Sequence, residues 1–138
     1  MKKPLIGLIA LTLSGAALSA DIPRSPSPDG ARAYIISPQD GAAVESPVTV
    51  RFGLSGMGVA PAGTVRKNTG HHHLLINRDV PDMGMPMGPG VKHFGGGQTE
   101  AVVELAPGAH TLQLLLGDHA HVPHDPPVLS EKITISVK

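Results

Sequence analysis

The sequence predicts an all-β protein, a single immunoglobulin-like antiparallel β-sandwich. Three observations carry that expectation. Val48 to Leu54 and Thr99 to Leu105 alternate apolar and polar residues with a period of two, and His110, Leu112, Leu114 and Leu116 line one face of a third run. Turn chemistry separates such runs, as at Pro38-Gln39-Asp40-Gly41 and Pro107-Gly108. No stretch after residue 20 keeps helical spacing over a dozen residues. Six or seven short strands divided by turns suit two packed sheets.

Residues 1–20 read as a signal peptide. Lys2 and Lys3 open it, Leu5 to Leu18 is apolar, and the small residues Ala17, Ser19 and Ala20 set cleavage after Ser19 or after Ala20. The run is too short and wrongly flanked for a membrane anchor. No cysteine follows it for lipid attachment. The expected location is the periplasm. Residues 21–32 (DIPRSPSPDGAR) read as a flexible leader rich in proline and serine, and residues 33–138 as the β-sandwich domain. That leaves about 118 residues after cleavage, enough for one core.

Within the domain, Ala33 to Ser37 forms the first strand. Val48 to Leu54 turns Val48, Val50, Phe52 and Leu54 to one face. Ser55 to Asn68 is a loop. Thr69 to Asn77 (TGHHHLLIN) is a strand that begins with three histidines and runs into Leu74, Leu75 and Ile76. Alternation puts His72 with Leu74 and Ile76, and His71 and His73 with Leu75. One of these faces enters the core, so an imidazole is buried there and needs partners for its ring nitrogens. Arg78 to Gly97 has no usable periodicity. Ala101, Val103 and Leu105 then face inward, and Ile133 to Val137 closes the domain.

Composition excludes several classes. Cysteine is absent, which removes disulfides, thiol chemistry and zinc fingers. Tyr34, Phe52 and Phe94 are the only aromatics, too few for a carbohydrate or single-stranded nucleic-acid platform. Setting Lys2 and Lys3 aside from the eleven basic residues leaves nine against eleven acidic ones, so nothing attracts a nucleic acid. No nucleophile-elbow pattern surrounds a serine, and Gly95-Gly96-Gly97 lacks the context of a phosphate loop. An enzyme is not expected. A metal-dependent hydrolase is the weakest reading, with Asp118 or Asp125 as its base.

Histidine and methionine carry the chemistry, in three patches. The first is His71-His72-His73. The second holds Met83, Met85 and Met87, followed by His93. The third holds His119, His121 and His124. The first patch opens a strand and the third follows one, so both suit the same end of a sandwich. An extended His119-Ala120-His121 would project both rings to one side, as His71 and His73 do. The run is internal and only three long, which excludes a cloning tag. Imidazoles suit copper(II), zinc or nickel, and thioethers suit copper(I). The expected imidazole ligands are His71, His73, His119, His121 and His124. Met83, Met85 and Met87 are softer auxiliaries for the reduced ion, and His93 is counted with them among the metal residues. Copper is the expected metal and zinc the alternative. The competing reading is a metal-free interaction module whose histidines form a structural or pH-responsive network, with an envelope protein as partner. His110, on a leucine face, reads as a hydrogen-bonded histidine at the core edge.

The chain resembles a bacterial family of exported single-domain proteins, known as a domain of unknown function. The resemblance rests on Gly56-Met57-Gly58-Val59-Ala60-Pro61-Ala62-Gly63, Asn68 to Ile76 with its GHHHLLI core, Gly96-Gly97-Gln98-Thr99-Glu100, Pro107 to Asp118 (PGAHTLQLLLGD), His121-Val122-Pro123-His124 and Pro126-Pro127-Val128. It covers roughly Ile35 to Val137. It implies that these segments belong to one domain and brings no activity with it. The Met83 to Met87 arm lies outside its pattern.

Overall fold

A computed structural model describes residues 22–138; the signal peptide read from residues 1–20 lies outside them. Among the described residues nine strands follow one another: β1 (Arg32–Ser37), β2 (Ala43–Val44), β3 (Val48–Ser55), β4 (Gly58–Val59), β5 (Thr69–Ile76), β6 (Lys92–His93), β7 (Glu100–Val103), β8 (Gly108–Gly117) and β9 (Ile133–Val137). They form two sheets, and the described residues contain no helix. The smaller sheet has the order β1-β3-β7. The larger has the order β2-β9-β8-β5-β4, with β6 added on β5. The result is a mostly antiparallel β-sandwich; the two-residue strands β2 and β4 pair in parallel, with β9 and β5 respectively. No described helix is long and apolar enough to cross a membrane.

The core lies between the sheets and follows the alternation. Val48, Val50 and Phe52 of β3 meet Leu112, Leu114 and Leu116 of β8, with Leu74 of β5 and Ile133, Ile135 and Val137 of β9. Their burial supplies the main force that holds the sheets together, about 25 cal/mol for each Å² of apolar surface removed from water. A second, smaller cluster lies on the outer face of the larger sheet. There Leu75 and Leu115 are covered by Val91, Met83, Met87 and Leu129. Part of the aperiodic stretch between β5 and β7 is therefore a lid over an apolar patch.

His72 takes the inward position that alternation assigns to it. Its ring packs on Phe52 with centroids 5.2 Å apart, and Phe52 in turn packs on Phe94 at 4.9 Å. Neither ring nitrogen of His72 finds a polar partner among the described residues, although the sequence argument requires one. Its surroundings are aromatic and aliphatic, and burial lowers its pKa from 6.5 to about 4, which keeps the ring neutral.

Residues 24–28, read from sequence as part of a flexible leader, are docked. Pro26 bridges Asp125 in parallel, Ser27 N–H donates to the Asp125 carbonyl at 3.0 Å, and Asp125 N–H donates to the Ser25 carbonyl at 3.0 Å. The Arg24 side chain donates to the carbonyls of Pro123 and His124. Proline and serine make this segment poor at forming regular structure. They do not stop its backbone from pairing with a loop that offers matching groups.

Replacing His72 by leucine removes two unpartnered polar atoms at similar volume. His72→Leu is expected to leave stability unchanged or raise it by about 1–3 kcal/mol. A thermal melt checks this, and a lower melting temperature would mean that the imidazole has a polar partner.

Candidate metal centre

The site starts from strand register. β5 runs antiparallel to β8, with His71 opposite Gly117, His72 opposite Leu116 and His73 opposite Leu115. The start of β5 thus lies beside the end of β8, and the loop after Gly117 returns over the His71 and His73 face. On the other edge of β5, β6 pairs His93 with His73. Residues directly opposite share a face of the sheet, which brings the His93 ring to the same side.

Four imidazoles converge there. His71, His73, His93 and His121 each offer one ring nitrogen, and these four atoms all lie within 4.8 Å of one another. His71 Nε2 is 3.0 Å from His121 Nδ1 and 3.2 Å from His93 Nε2. His71 and His73 are buried, at 0% and 1% exposure, whereas His121 is half-buried and His93 exposed. The group therefore opens to solvent on one side. Two glycines seat its rings. A Cβ on Gly117 would lie 2.6 Å from His73 Cε1 and 2.8 Å from Met87 Cε, and a Cβ on Gly95 would collide with the His93 ring.

The spacing is informative. A neutral imidazole nitrogen carries either one N–H or one lone pair, so His71 Nε2 cannot make a full hydrogen bond to both neighbours. Around a cation with metal–nitrogen bonds of about 2.0–2.1 Å, adjacent ligand nitrogens stand about 2.9 Å apart in a square and about 3.3 Å apart in a tetrahedron. The separations of 3.0 Å and 3.2 Å lie between those two edge lengths. This group could hold a metal ion.

The electrostatics agree with lone pairs ready for a cation. Burial, then the neighbouring His121 and His93, lowers the His71 pKa from 6.5 to about 4. Burial, then His71, His93 and His121, lowers His73 to about 3. His93 is also lowered, by desolvation and by His121. At neutral pH His71 and His73 are therefore unprotonated, the form that binds metal.

The other expected ligands lie elsewhere. His119 is exposed. His124 is buried, with Nε2 3.1 Å from the Thr69 carbonyl. Both line a cavity with Ser25 and Asp118 instead of joining the four-histidine group. The segment from Asp118 to Val122 is a tight loop, not the extended run that would have aligned His119 with His121. Met83 packs on the outer apolar cluster, and Met85 is exposed. Met87 alone of the three reaches the site. It lines a shallow concavity with His73, His93 and His121, and its N–H donates to the His121 carbonyl at 2.9 Å. His110 lies at the far end of β8, bonded through Nδ1 to Asn77 and through Nε2 to the Ala106 carbonyl. His93, grouped in sequence with the methionine patch, is a member of the four-histidine group. The residues that carry it there are the pair Lys92-His93 of β6, too short to show an alternation pattern.

The folded state holds His71, His72 and His73 neutral, whereas the unfolded chain titrates them near 6.5. Between about pH 4 and 6.5 the folded form therefore binds fewer protons. Metal-free protein is expected to be fully stable above pH 6.5 and to lose several degrees of melting temperature as pH falls from 7 to 5. Thermal melts across that range check it; a flat profile would mean that these rings are not held neutral.

Among known proteins, neither the curated proteins nor the solved structures give a significant match to this chain. The family described as Domain of unknown function (DUF4399) matches residues 50–138, which contain all four histidines of the site. The chain belongs to that family.

Proposed function

We propose that this protein is an exported, periplasmic transition-metal-binding protein, and that copper is its metal. It acts as a carrier, buffer or accessory factor and not as a catalyst. The observation that carries the reading is the convergence of four imidazole nitrogens within 4.8 Å at one end of the larger sheet. Supporting it, two of the rings are buried and held neutral, so a cation meets free lone pairs and displaces no protons from them.

The choice of copper follows from ligand chemistry. Imidazoles favour copper(II), zinc and nickel, and copper(II) binds such sites most tightly among the divalent first-row ions. Met87 at the rim adds a thioether, which suits copper(I) and offers zinc little. The signal-peptide pattern of residues 1–20 supports export, where a site without cysteine avoids thiol oxidation. None of the four members is a carboxylate, and the only buried one among the described residues, Asp118, has its oxygens taken up by Ser25, Ala120 and Val122, which supports binding over hydrolysis.

One observation favours a second reading, the metal-free histidine network. The 3.0 Å contact between His71 and His121 is also an ordinary hydrogen-bond length. The two readings separate in one experiment. Tag-free protein recovered from the periplasm is analysed for metal and titrated with copper(I), copper(II) and zinc(II). One stoichiometric site is expected, lost in the His71→Ala/His121→Ala double variant. Only weak binding that never saturates would leave the network reading.

A further inference from the structure

Asp118 lies outside the four-histidine group, yet it is the one buried carboxylate among the described residues. Its Oδ1 accepts the N–H groups of Ala120 at 2.9 Å and Val122 at 3.0 Å. Its backbone carbonyl accepts the His121 N–H at 2.9 Å, and its own N–H donates to the Val122 carbonyl at 2.9 Å. One residue therefore satisfies every N–H from Ala120 to Val122. That loop holds His121 at φ +65°, a conformation uncommon for a residue with a side chain. Such a backbone persists only where its surroundings fix it. Here Asp118 fixes it from one side, and the Met87 N–H on the His121 carbonyl fixes it from the other.

Asp118 is itself braced. Its Oδ2 accepts the Ser25 hydroxyl at 2.8 Å, and Ser25 belongs to the segment docked along residues 123–126. We propose that Asp118, braced by Ser25, is the positioning residue that sets His121 into the four-imidazole group and lends that group a nearby negative charge. This inference rests on the metal-binding reading above. Four neutral imidazoles bring no charge of their own, so a fixed anion nearby stabilises a divalent ion held among them. Burial works to raise the Asp118 pKa, but the bonds from Ser25, Ala120 and Val122, with the nearby His119, hold it below the usual carboxylate value. Its charge also acts on His71, where it opposes the lowering by the other imidazoles.

The test titrates tag-free full-chain protein with copper(II) against a competing chelator and records electron paramagnetic resonance spectra of the loaded forms. Wild type is expected to hold one copper(II). D118N keeps the side-chain shape and removes the charge; it is expected to bind about ten- to a hundredfold more weakly, with altered copper hyperfine coupling. S25A removes only the brace and is expected to show a smaller loss in the same direction. Circular dichroism establishes which variants fold. Folded D118N with wild-type affinity and a superimposable spectrum overturns the assignment. If D118N does not fold, S25A decides, and wild-type behaviour there overturns it. Wild type that takes up no copper(II) overturns the metal reading, and this inference with it; metal uptake unchanged in the variants overturns this inference alone.

Discussion

The site depends on the antiparallel register of β5 on β8. With His71 opposite Gly117 and His73 opposite Leu115, two imidazoles face outward at the sheet end where the loop bearing His121 returns. A slip of one residue would turn His71 and His73 into the core and carry His72 outward, because side chains alternate with a period of two. The inward set of His72, Leu74 and Ile76 resists that slip. Leu74 is fully buried in the main core between β3 and β8, and Leu75 is held by the smaller cluster on the other face. Both faces of β5 are apolar after the histidines, so the register is fixed by packing on two sides. The site inherits its precision from the core.

The same arrangement has an energetic cost that the molecule carries without a ligand. Buried imidazoles with unpartnered nitrogens, such as Nδ1 of His71 and of His73, give up hydration and gain no bond in return. Positive charge is disfavoured by desolvation and by the other rings, as the lowered pKa values of His71 and His73 show. A cation at the centre would replace the shared contacts of His71 Nε2, which now meets two ring nitrogens at once and can bond fully to only one. Asp118 and the docked segment around Ser25 stabilise the least regular part, the loop that carries His121.

Much of this was legible in the sequence, for a physical reason. The alternation of Val48-Val50-Phe52 and of Ile133-Ile135-Val137 reports one wet and one dry face, Leu112-Leu114-Leu116 report the core face of a strand whose other face is also covered at Leu115, and those strands form as read. The split of His71 and His73 from His72 follows from the same rule. What was not legible came from contacts that leave no local pattern. The two-residue strands β2, β4 and β6 exist because a sheet edge lies beside them, and His93 reaches the site only through β6. The loop from Asp118 to Val122 turns on hydrogen bonds to one carboxylate, so His119 and His121 diverge where an extended chain would have aligned them. Of the methionines, Met83 covers Leu75 and Leu115, a packing role that composition cannot separate from a ligand role.

The central claim is that His71, His73, His93 and His121 together bind one ion. X-ray absorption at the copper edge of protein loaded with one equivalent of copper(II) tests it most directly. The account requires four nitrogen scatterers at about 2.0 Å with the outer-shell features of imidazole. A spectrum dominated by oxygen, with two imidazoles or fewer, would contradict it.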